Sequence, residues 1–273
     1  MIRTDHGRNN FCMKAFIITM MNNAQSVTST RKLLHSMTYI QDRGGDIIKK
    51  PSGLQPFIMN ATIPDTIDSD IKFNFSKEYG EGLYKNNRLN WTWPKHTAED
   101  GIDFSTGLYK RAYAAADWRK VAACTISHMR LWQHCIDINE PILILEHDAI
   151  FIRRFHYKDI AETGHGDRNK EEHGEWSGGI CAINDPTGAT RKARIYHQKV
   201  HSEIEKSDSR RGIVTVPYVD DPGDLPLPTG LPGNSAYIIK PWAAKKLLDK
   251  TLEIGLWPND ALMCRQFFPW LQI

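Results

Sequence analysis

The chain of 273 residues is 41% hydrophobic and 25% charged, and 35 basic against 32 acidic residues give a net charge of +3. This composition is close to that of globular domains and argues against a disordered, fibrous or membrane protein. The basic residues are spread along the chain, so we expect no nucleic-acid partner. No apolar run approaches the roughly 18 residues that cross a bilayer, and the first residues lack the apolar stretch of a signal peptide. We therefore expect a cytoplasmic protein without a transmembrane segment.

The cysteines indicate a reduced protein. Their number is odd and none forms a C-x-x-C pair, which is unusual for a secreted disulfide framework. If Cys124 and Cys135 share one helix, a rise of about 1.5 Å per residue separates them by roughly 16 Å, too far for a disulfide. We interpret all five as core thiols: Cys12, Cys124, Cys135, Cys181 and Cys264.

The first elements in chain order predict a strand followed by a helix. Residues 1–12 are polar and irregular, and we interpret them as an N-terminal extension, with Met13 as an alternative start. Residues 13–273 are then long enough for a single α/β domain. The run 15–18 predicts a strand, and apolar spacing predicts a helix over 31–40. The periodicity is weak between residues 50 and 95, which indicates loops and short elements.

The middle of the chain carries the clearest helix and strand. Cys124, His128 and Leu131 recur at spacings of three and four within residues 121–138, as in a helix with one buried stripe. Pro141 precedes the continuous apolar run 142–145, which predicts a strand covered on both faces.

Downstream, residues 163–178 are glycine-rich and predict an exposed loop. Strands are predicted at 181–183, 212–219 and 236–239, and a helix at 241–253 that Gly255 ends. Alternating strands and helices indicate an α/β sheet.

Two carboxylates, Glu146 and Asp148, follow the apolar strand with one residue between them. Ligands of α/β sheets bind beyond the carboxyl ends of the strands. If the chain stays extended, both side chains lie on one side, where two oxygen ligands suit Mg²⁺ or Mn²⁺. Such an ion stabilises the charge of a leaving diphosphate. Taken alone, the E-x-D pattern more often marks acidic residues that solvate the end of a strand.

Four segments resemble, in the same order, the motifs of glycosyltransferase family 25, the lipopolysaccharide-type glycosyltransferases. The family motifs are a G-C-x-L-S-H-x-x-L-W helix, an L-E-D-D-A motif, a G-T-x-G-Y strand and a P-x-D motif, and the similarity covers residues 13–268. The corresponding segments are residues 120–133, Glu146-His147-Asp148-Ala149, residues 233–239, and Trp257-Pro258-Asn259-Asp260.

The resemblance implies an α/β protein with a GT-A-like fold, a Rossmann-type mixed sheet flanked by helices. It implies transfer of a hexose, galactose or glucose, from a UDP-sugar to a saccharide acceptor such as a lipopolysaccharide or another surface glycan. The expected reaction inverts the anomeric carbon and depends on Mn²⁺ or Mg²⁺. A lipid-linked acceptor would bring the protein to a membrane surface.

Carried over residue by residue, the resemblance assigns the metal to Glu146, Asp148 and His147, and counts Asp148 as catalytic. His147 replaces an acidic residue of the family motif. As a ligand, imidazole suits Mn²⁺ better than Mg²⁺; the alternative is that His147 points into the sheet. Asp260 is the expected general base, and the alternative is a helix N-cap after Pro258.

The expected donor-binding residues lie at the end of the first strand or after it, on the helix that carries Ser127 and His128, or in the motif segment 233–239. A core position is an equal alternative for His128, which falls on the buried stripe. For Arg31, an exposed helix arginine is the alternative to a diphosphate contact. The set is Thr19, Arg31, Ser127, His128, Asn234 and Ser235.

Other polar and aromatic residues have two interpretations each. Trp91 and Trp93 suit stacking on a sugar ring, although packing is the commoner use of such residues. Arg191, Lys192 and Arg194 indicate a solvated basic turn, with contact to a phosphate or an anionic acceptor as the alternative.

The chain also departs from the family pattern. Asn234-Ser235-Ala236 replaces the small Thr-x-Gly, and the chain ends at Ile273 where relatives usually continue. We therefore expect a member truncated at its C-terminus, and a phage-borne branch would suit so compact a chain. A non-catalytic sugar-nucleotide or glycan-binding relative is the alternative function. A nucleotidyltransferase would need a glycine-rich loop after the first strand, and residues 19–23 contain no glycine.

Overall fold

The structure is a computed structural model, and the residues it describes form helices and strands around one five-stranded sheet. The described residues are 12–41, 47–49, 53–75, 84–85, 88–114, 117–155, 178–184, 193–206, 213–216, 225–231 and 234–273. The helices are α1 (Ala24–Thr38), α2 (Ile67–Phe75), α3 (Trp118–Ile138), α4 (Ala193–Lys206), α5 (Pro241–Ile254) and α6 (Asn259–Leu262), with a 3-10 turn at Thr97–Glu99. The strands are β1 (Met13–Thr19), β2 (Tyr39–Gln41), β3 (Ile47–Lys49), β4 (Leu54–Asn60), β5 (Tyr84–Lys85), β6 (Arg88–Leu89), β7 (Gly101–Asp103), β8 (Leu108–Lys110), β9 (Ile142–Glu146), β10 (Ile180–Ala182) and β11 (Ala236–Ile239).

The main sheet is mixed, with the strand order β10-β11-β9-β1-β4. β1 pairs in parallel with β4 and β9, whereas β11 runs antiparallel to β9 and β10. The predicted α/β class, with a mixed sheet flanked by helices, is confirmed. The finer GT-A-like arrangement stays a prediction.

Strand β9 shows why a continuous apolar run forms a central strand. Successive side chains point to opposite faces, so Ile142 and Ile144 pack on the side of α3 and α5, while Leu143 and Leu145 pack with the residues of α1. Both faces of the strand are therefore buried, as the sequence predicts.

The carboxyl ends of the three parallel strands meet at one edge of the sheet. Ile18 is paired with Glu146, and Thr19 with Asn60. Because β11 runs the other way, its first residues lie at this same edge, where the backbone N–H of Glu146 donates to the carbonyl of Ser235 at 2.8 Å. This edge therefore collects Thr19, Glu146 and Ser235.

Helix α3 begins and ends at residues suited to those positions. Asp117 caps its start by accepting from the N–H of Arg119, and Asn139 ends it in the left-handed region at φ 50°. The predicted helix 121–138 is confirmed and begins three residues earlier. Helix α5 is also confirmed. It starts at Pro241 and ends before Gly255, which has a φ of 87°.

Three predictions from the sequence differ from the structure. Helix α1 begins at Ala24, earlier than the predicted residue 31, because Asn23 accepts from the N–H of Ser26 at 3.0 Å and caps it. Strand β4 and helix α2 occupy the stretch predicted as loops and short elements. The predicted strand at 212–219 is described only at 213–216, where it contributes a single bridge through Thr215.

The remaining loop predictions lie partly outside the described residues. Arg194 belongs to helix α4, so the predicted basic turn is wrong for this residue; Arg191 and Lys192 lie outside the described ranges, as do residues 163–177 of the predicted loop and the extension before residue 12. Over the described residues, no helix combines the length and the apolarity needed to cross a membrane.

Candidate functional site

Helix α3 brings two acidic segments together. Oε1 of Glu146, at the end of β9, lies 3.2 Å from Nε2 of His128 and 3.9 Å from Sγ of Cys124. The same thiol lies 3.9 Å from Oδ1 of Asn259, and the Asn259 backbone N–H donates to Oγ1 of Thr125 at 3.0 Å. The carboxylate that follows β9 and the turn that carries Asp260 are therefore neighbours, although they are far apart in sequence.

A chain of hydrogen bonds inside the protein orients Glu146. The Trp132 indole can only donate, and its Nε1 donates to the Tyr237 hydroxyl at 2.8 Å. The hydroxyl lies 2.9 Å from Nδ1 of His128, and we infer that it donates its hydrogen to this nitrogen, since a buried hydroxyl needs an acceptor. We therefore assign a ring proton to Nε2 of His128, which donates to Glu146. His128 is fully buried, as its core interpretation expects, and it lies beside Glu146, whereas a role in donor binding stays a prediction.

The thiol of Cys124 lies in a negatively charged environment. Burial raises the pKa of the Cys124 thiol well above its usual value, and the charges of Glu146, Asp260 and Asp148 raise it further. The thiol is half-buried and faces these acids, so the prediction of a core thiol is wrong here.

Of the other described cysteines, three are buried, as predicted, whereas Cys12 is exposed and contradicts the prediction of a core thiol. Cys135, Cys181 and Cys264 are buried, and burial raises the pKa of each to about 12. All of the described cysteines are free thiols.

Asp260 is a half-buried carboxyl with one oxygen fully engaged. Its Oδ1 accepts from the Tyr113 hydroxyl at 2.5 Å and from the Ala261 N–H at 2.9 Å. Burial raises the pKa of Asp260, the hydrogen bond from Tyr113 lowers it in part, and the charge of Glu146 raises it. The helix-cap alternative is wrong, because Asp260 lies inside α6 and Pro258 occupies the cap position.

Two residues that support Asp260 were missed by the sequence analysis. Tyr113 is 37% exposed as a residue, yet burial around its hydroxyl and the charge of Asp260 raise its pKa well above the usual value, so it remains a donor. A Cβ at Gly230 would lie 2.3 Å from the carbonyl oxygen of Asp260, so only glycine fits there. Tyr113 belongs to no motif, and Gly230 lies in a Pro- and Gly-rich stretch that indicates only a turn.

The acidic motif turns instead of staying extended. Strand β9 ends at Glu146, residues 147–148 form a turn, and the N–H of Ala149 donates to the Glu146 carbonyl at 3.1 Å. Glu146 and His147 are half-buried, whereas Asp148 is exposed. The extended chain, on which the expectation of a shared side for Glu146 and Asp148 depended, is therefore not present.

The assignment of a divalent metal ion to Glu146, His147 and Asp148 stays a prediction. Among the described residues, the potential ligand atoms that lie within 4.8 Å of one another belong to Cys124, His128 and Glu146. This trio is not a ready metal site, because the hydrogen-bond chain places a proton on Nε2 of His128. Glu146 and Asp148, in contrast, offer carboxylate oxygens within a cluster of negative charge, which a divalent cation would offset.

Two predicted donor-binding hydroxyls are engaged within the protein. Oγ1 of Thr19 lies 2.8 Å from Oγ1 of Thr30 in α1, on the face of the sheet opposite to Glu146. Oγ of Ser127 accepts from the Thr62 N–H and donates to the carbonyl of Ala123, both at 2.9 Å. These contacts give both side chains a structural role, and a donor contact by either stays a prediction.

The other predicted donor-binding residues divide between the site and the surface. Arg31 is exposed within α1, two turns after its start, in agreement with the alternative of an exposed helix arginine. Asn234 is 2% exposed at φ 32°, and its Oδ1 has no hydrogen-bond partner within the described residues. Ser235 adjoins Glu146 through its carbonyl. Ser235 and His128 therefore border Glu146, whereas the side chain of Asn234 contacts Met263.

Trp93 is buried and Trp91 is half-buried, and both pack against other aromatic rings. Trp93 is 6% exposed, donates to the carbonyl of Arg111 at 2.9 Å and packs edge-on against Trp257. Trp91 is half-buried and packs against Trp118.

Comparison with known protein families gives a match that includes the residues of the site. A family model described as glycosyltransferase family 25 (LPS biosynthesis protein) matches residues 119–263, just over half of the chain. A search of curated proteins finds no match. The matched region contains Cys124, His128, Glu146 and Asp260, which the structure brings together, whereas Tyr113 lies before it. The chain therefore belongs to glycosyltransferase family 25, a family of lipopolysaccharide-biosynthesis proteins.

Proposed function

We propose that the protein transfers a hexose, galactose or glucose, from a UDP-sugar to a saccharide acceptor such as a lipopolysaccharide or another surface glycan. The observation that carries this proposal is that Glu146 and the turn that carries Asp260 meet at Cys124, at the carboxyl edge of the sheet, where the thiol lies 3.9 Å from Oε1 of Glu146 and 3.9 Å from Oδ1 of Asn259. Ligands of α/β proteins bind at this edge. The family membership supports the reaction type, and we propose a GT-A-like arrangement on the same ground.

The acidic turn is the proposed diphosphate end of the site. Glu146 and Asp148, with His147 between them, would hold Mn²⁺ or Mg²⁺, and the ion would offset the negative charge of the leaving diphosphate. His128 would keep Glu146 in position through the hydrogen bond to its Oε1, and Tyr237 would keep His128 in position. Ser235, beside Glu146, and Asn234 are the proposed donor-side neighbours.

Asp260 is the proposed general base. The acceptor oxygen forms a bond to the anomeric carbon as the bond from that carbon to the phosphate oxygen breaks, and UDP leaves with the electron pair. Oδ1 of Asp260 is occupied by Tyr113 and Ala261, which leaves Oδ2 to take the proton of the acceptor hydroxyl. A raised pKa makes this carboxylate a better base than an ordinary aspartate. Attack from the side opposite the leaving group inverts the anomeric carbon.

The location of the reaction is also part of the proposal. A lipid-linked acceptor would bring the protein to a membrane surface, and a cytoplasmic location stays a prediction from the sequence.

Turnover of the donor tests the function. The folded protein is incubated with UDP-galactose or UDP-glucose and Mn²⁺, and UDP release is measured with and without glycan acceptors. We expect acceptor-stimulated release that the Asp260→Asn variant loses. Asp249→Asn is the matched control, because Asp249 is an exposed aspartate of α5 paired with Lys245. A folded protein that consumes no donor would instead be a non-catalytic sugar-nucleotide or glycan-binding relative.

A further inference from the structure

A pocket of about 590 Å³ lies beside the cluster of Glu146, Asp148 and Asp260, and none of these three residues lines it. It is formed by residues 91–95, the β7–β8 hairpin and the end of α5. Its volume falls within the range of about 300–1,000 Å³ that is typical of small-ligand sites. The lining residues that matter combine indole rings, a hydroxyl and paired charges: Trp91, Trp93, Lys95, Asp103, Ser105 and Lys110.

The polar groups of the pocket are held in fixed directions. Lys110 forms an ion pair with Asp103, with side chains only 10% and 14% exposed, and its Nζ also donates to the Thr92 carbonyl at 2.7 Å. Asp103 accepts from the N–H and from the hydroxyl of Ser105, at 2.9 and 2.6 Å. Burial alone would raise the pKa of Asp103, but the hydrogen bonds from Lys110 and Ser105 leave it lowered. The pair therefore stays charged and oriented.

The apolar wall of the pocket connects it to the proposed general base. The Trp93 ring packs edge-on against Trp257, with centroids 4.9 Å apart, and lies 6.4 Å from the ring of Tyr113. The Tyr113 hydroxyl in turn donates to Asp260. A ligand in this pocket would therefore be separated from Asp260 by little more than Trp93 and Tyr113.

We propose that this pocket binds a neutral saccharide unit. The half-buried indole ring of Trp91 suits the apolar face of a sugar ring, and an oriented acid, amine and hydroxyl suit sugar hydroxyls, which both donate and accept. Lys95 and Lys110 are balanced by Glu99 and Asp103, so the lining carries no net charge to attract an anionic sugar. The saccharide bound here is a further unit of the acceptor, whose reacting hydroxyl lies at Asp260; this role rests on the proposed function, whereas binding itself does not.

A substitution at Gly101 tests the pocket without removing any polar group. Gly101 lines the pocket, and a Cβ there would meet nothing within 4 Å, so Gly101→Leu fills the cavity without a backbone clash. Phe104→Ala is the control, because Phe104 lies in the turn of the same hairpin, is 97% exposed and lines no part of the pocket. Binding of lactose, maltose and glucuronic acid is measured by isothermal titration without donor or metal.

We expect the wild-type protein and Phe104→Ala to bind a neutral disaccharide, and Gly101→Leu to bind it at least tenfold more weakly. Three results would overturn the inference: no binding of either disaccharide to the folded protein, unchanged binding by Gly101→Leu, or binding of glucuronic acid alone. Saccharide binding without any UDP release would keep the pocket and reject the proposed function. UDP release without saccharide binding would do the opposite.

Discussion

Replacement of Asp260 with asparagine separates the chemistry of this residue from its structural role. The two side chains have the same shape, and the amide oxygen can accept the hydrogen bonds that Oδ1 now takes from Tyr113 at 2.5 Å and from Ala261 at 2.9 Å. We therefore expect Asp260→Asn to fold. A positioned general base contributes about 10²–10⁴-fold to a rate, and we expect kcat to fall by that factor with little change in the KM for the donor.

The same variant is expected to lose no stability at neutral pH. Burial raises the pKa of Asp260, so the folded protein holds this proton to a higher pH than the unfolded chain, whose aspartates titrate near about 3.9. Between these two values the unfolded state binds fewer protons, and stability falls as the pH rises. Asparagine removes this loss, so the melting temperature at neutral pH should equal or exceed that of the parent.

Tyr113→Phe tests whether the hydrogen bond from Tyr113 lowers the pKa of Asp260. The hydrogen bond from Tyr113 lowers the pKa of Asp260, so its removal should raise the pKa and shift the acid limb of kcat/KM to higher pH. Tyr39→Phe is the control, since Tyr39 is equally exposed, at 37%, and stacks on His35 in another part of the chain.

Both Asp260→Asn and Tyr113→Phe are assayed by the release of UDP in the presence of acceptor, from acidic to neutral pH. The assignment of the base is refuted if Asp260→Asn keeps kcat within about threefold of the parent. It is also refuted if Tyr113→Phe leaves the acid limb in place.

Three further predictions concern the other site residues. Ser127→Ala should cost about 1–3 kcal/mol in urea unfolding, because it leaves a buried backbone N–H without its partner, and it should not change the donor KM; a raised KM would instead support a donor contact. Asp148→Asn should abolish Mn²⁺-dependent stabilisation by UDP in a thermal melt, while Asp249→Asn keeps it, and equal stabilisation of both variants would contradict the metal assignment. His128→Leu should lower kcat and also stability by about 1–3 kcal/mol, because the buried Tyr237 hydroxyl loses its acceptor; stability equal to that of the parent would argue against the assigned hydrogen-bond chain.

Local sequence signals predicted the elements whose formation depends on burial or on end residues. The apolar run of β9 is buried on both faces, and α3 and α5 each carry a buried stripe between residues suited to start or stop a helix. Strand β4 gave no such signal. It contains Pro56 and is exposed along most of its length, so its strand form depends on pairing with β1, a partner that is distant in sequence.

The sequence by itself also determined which acids are the candidates, since the ordered motifs single out Glu146, Asp148 and Asp260. Only the tertiary structure decided what surrounds them. The turn after β9 takes Asp148 out of the line of the strand. The alternation of side chains along β1 places Thr19 on the face of the sheet opposite to Glu146. Tyr113 and Gly230 reach Asp260 from segments that carry no motif. The physical reason is that residue types and their spacing fix chemistry and periodicity, whereas the direction of a side chain and its buried partners depend on which distant segments pack against it.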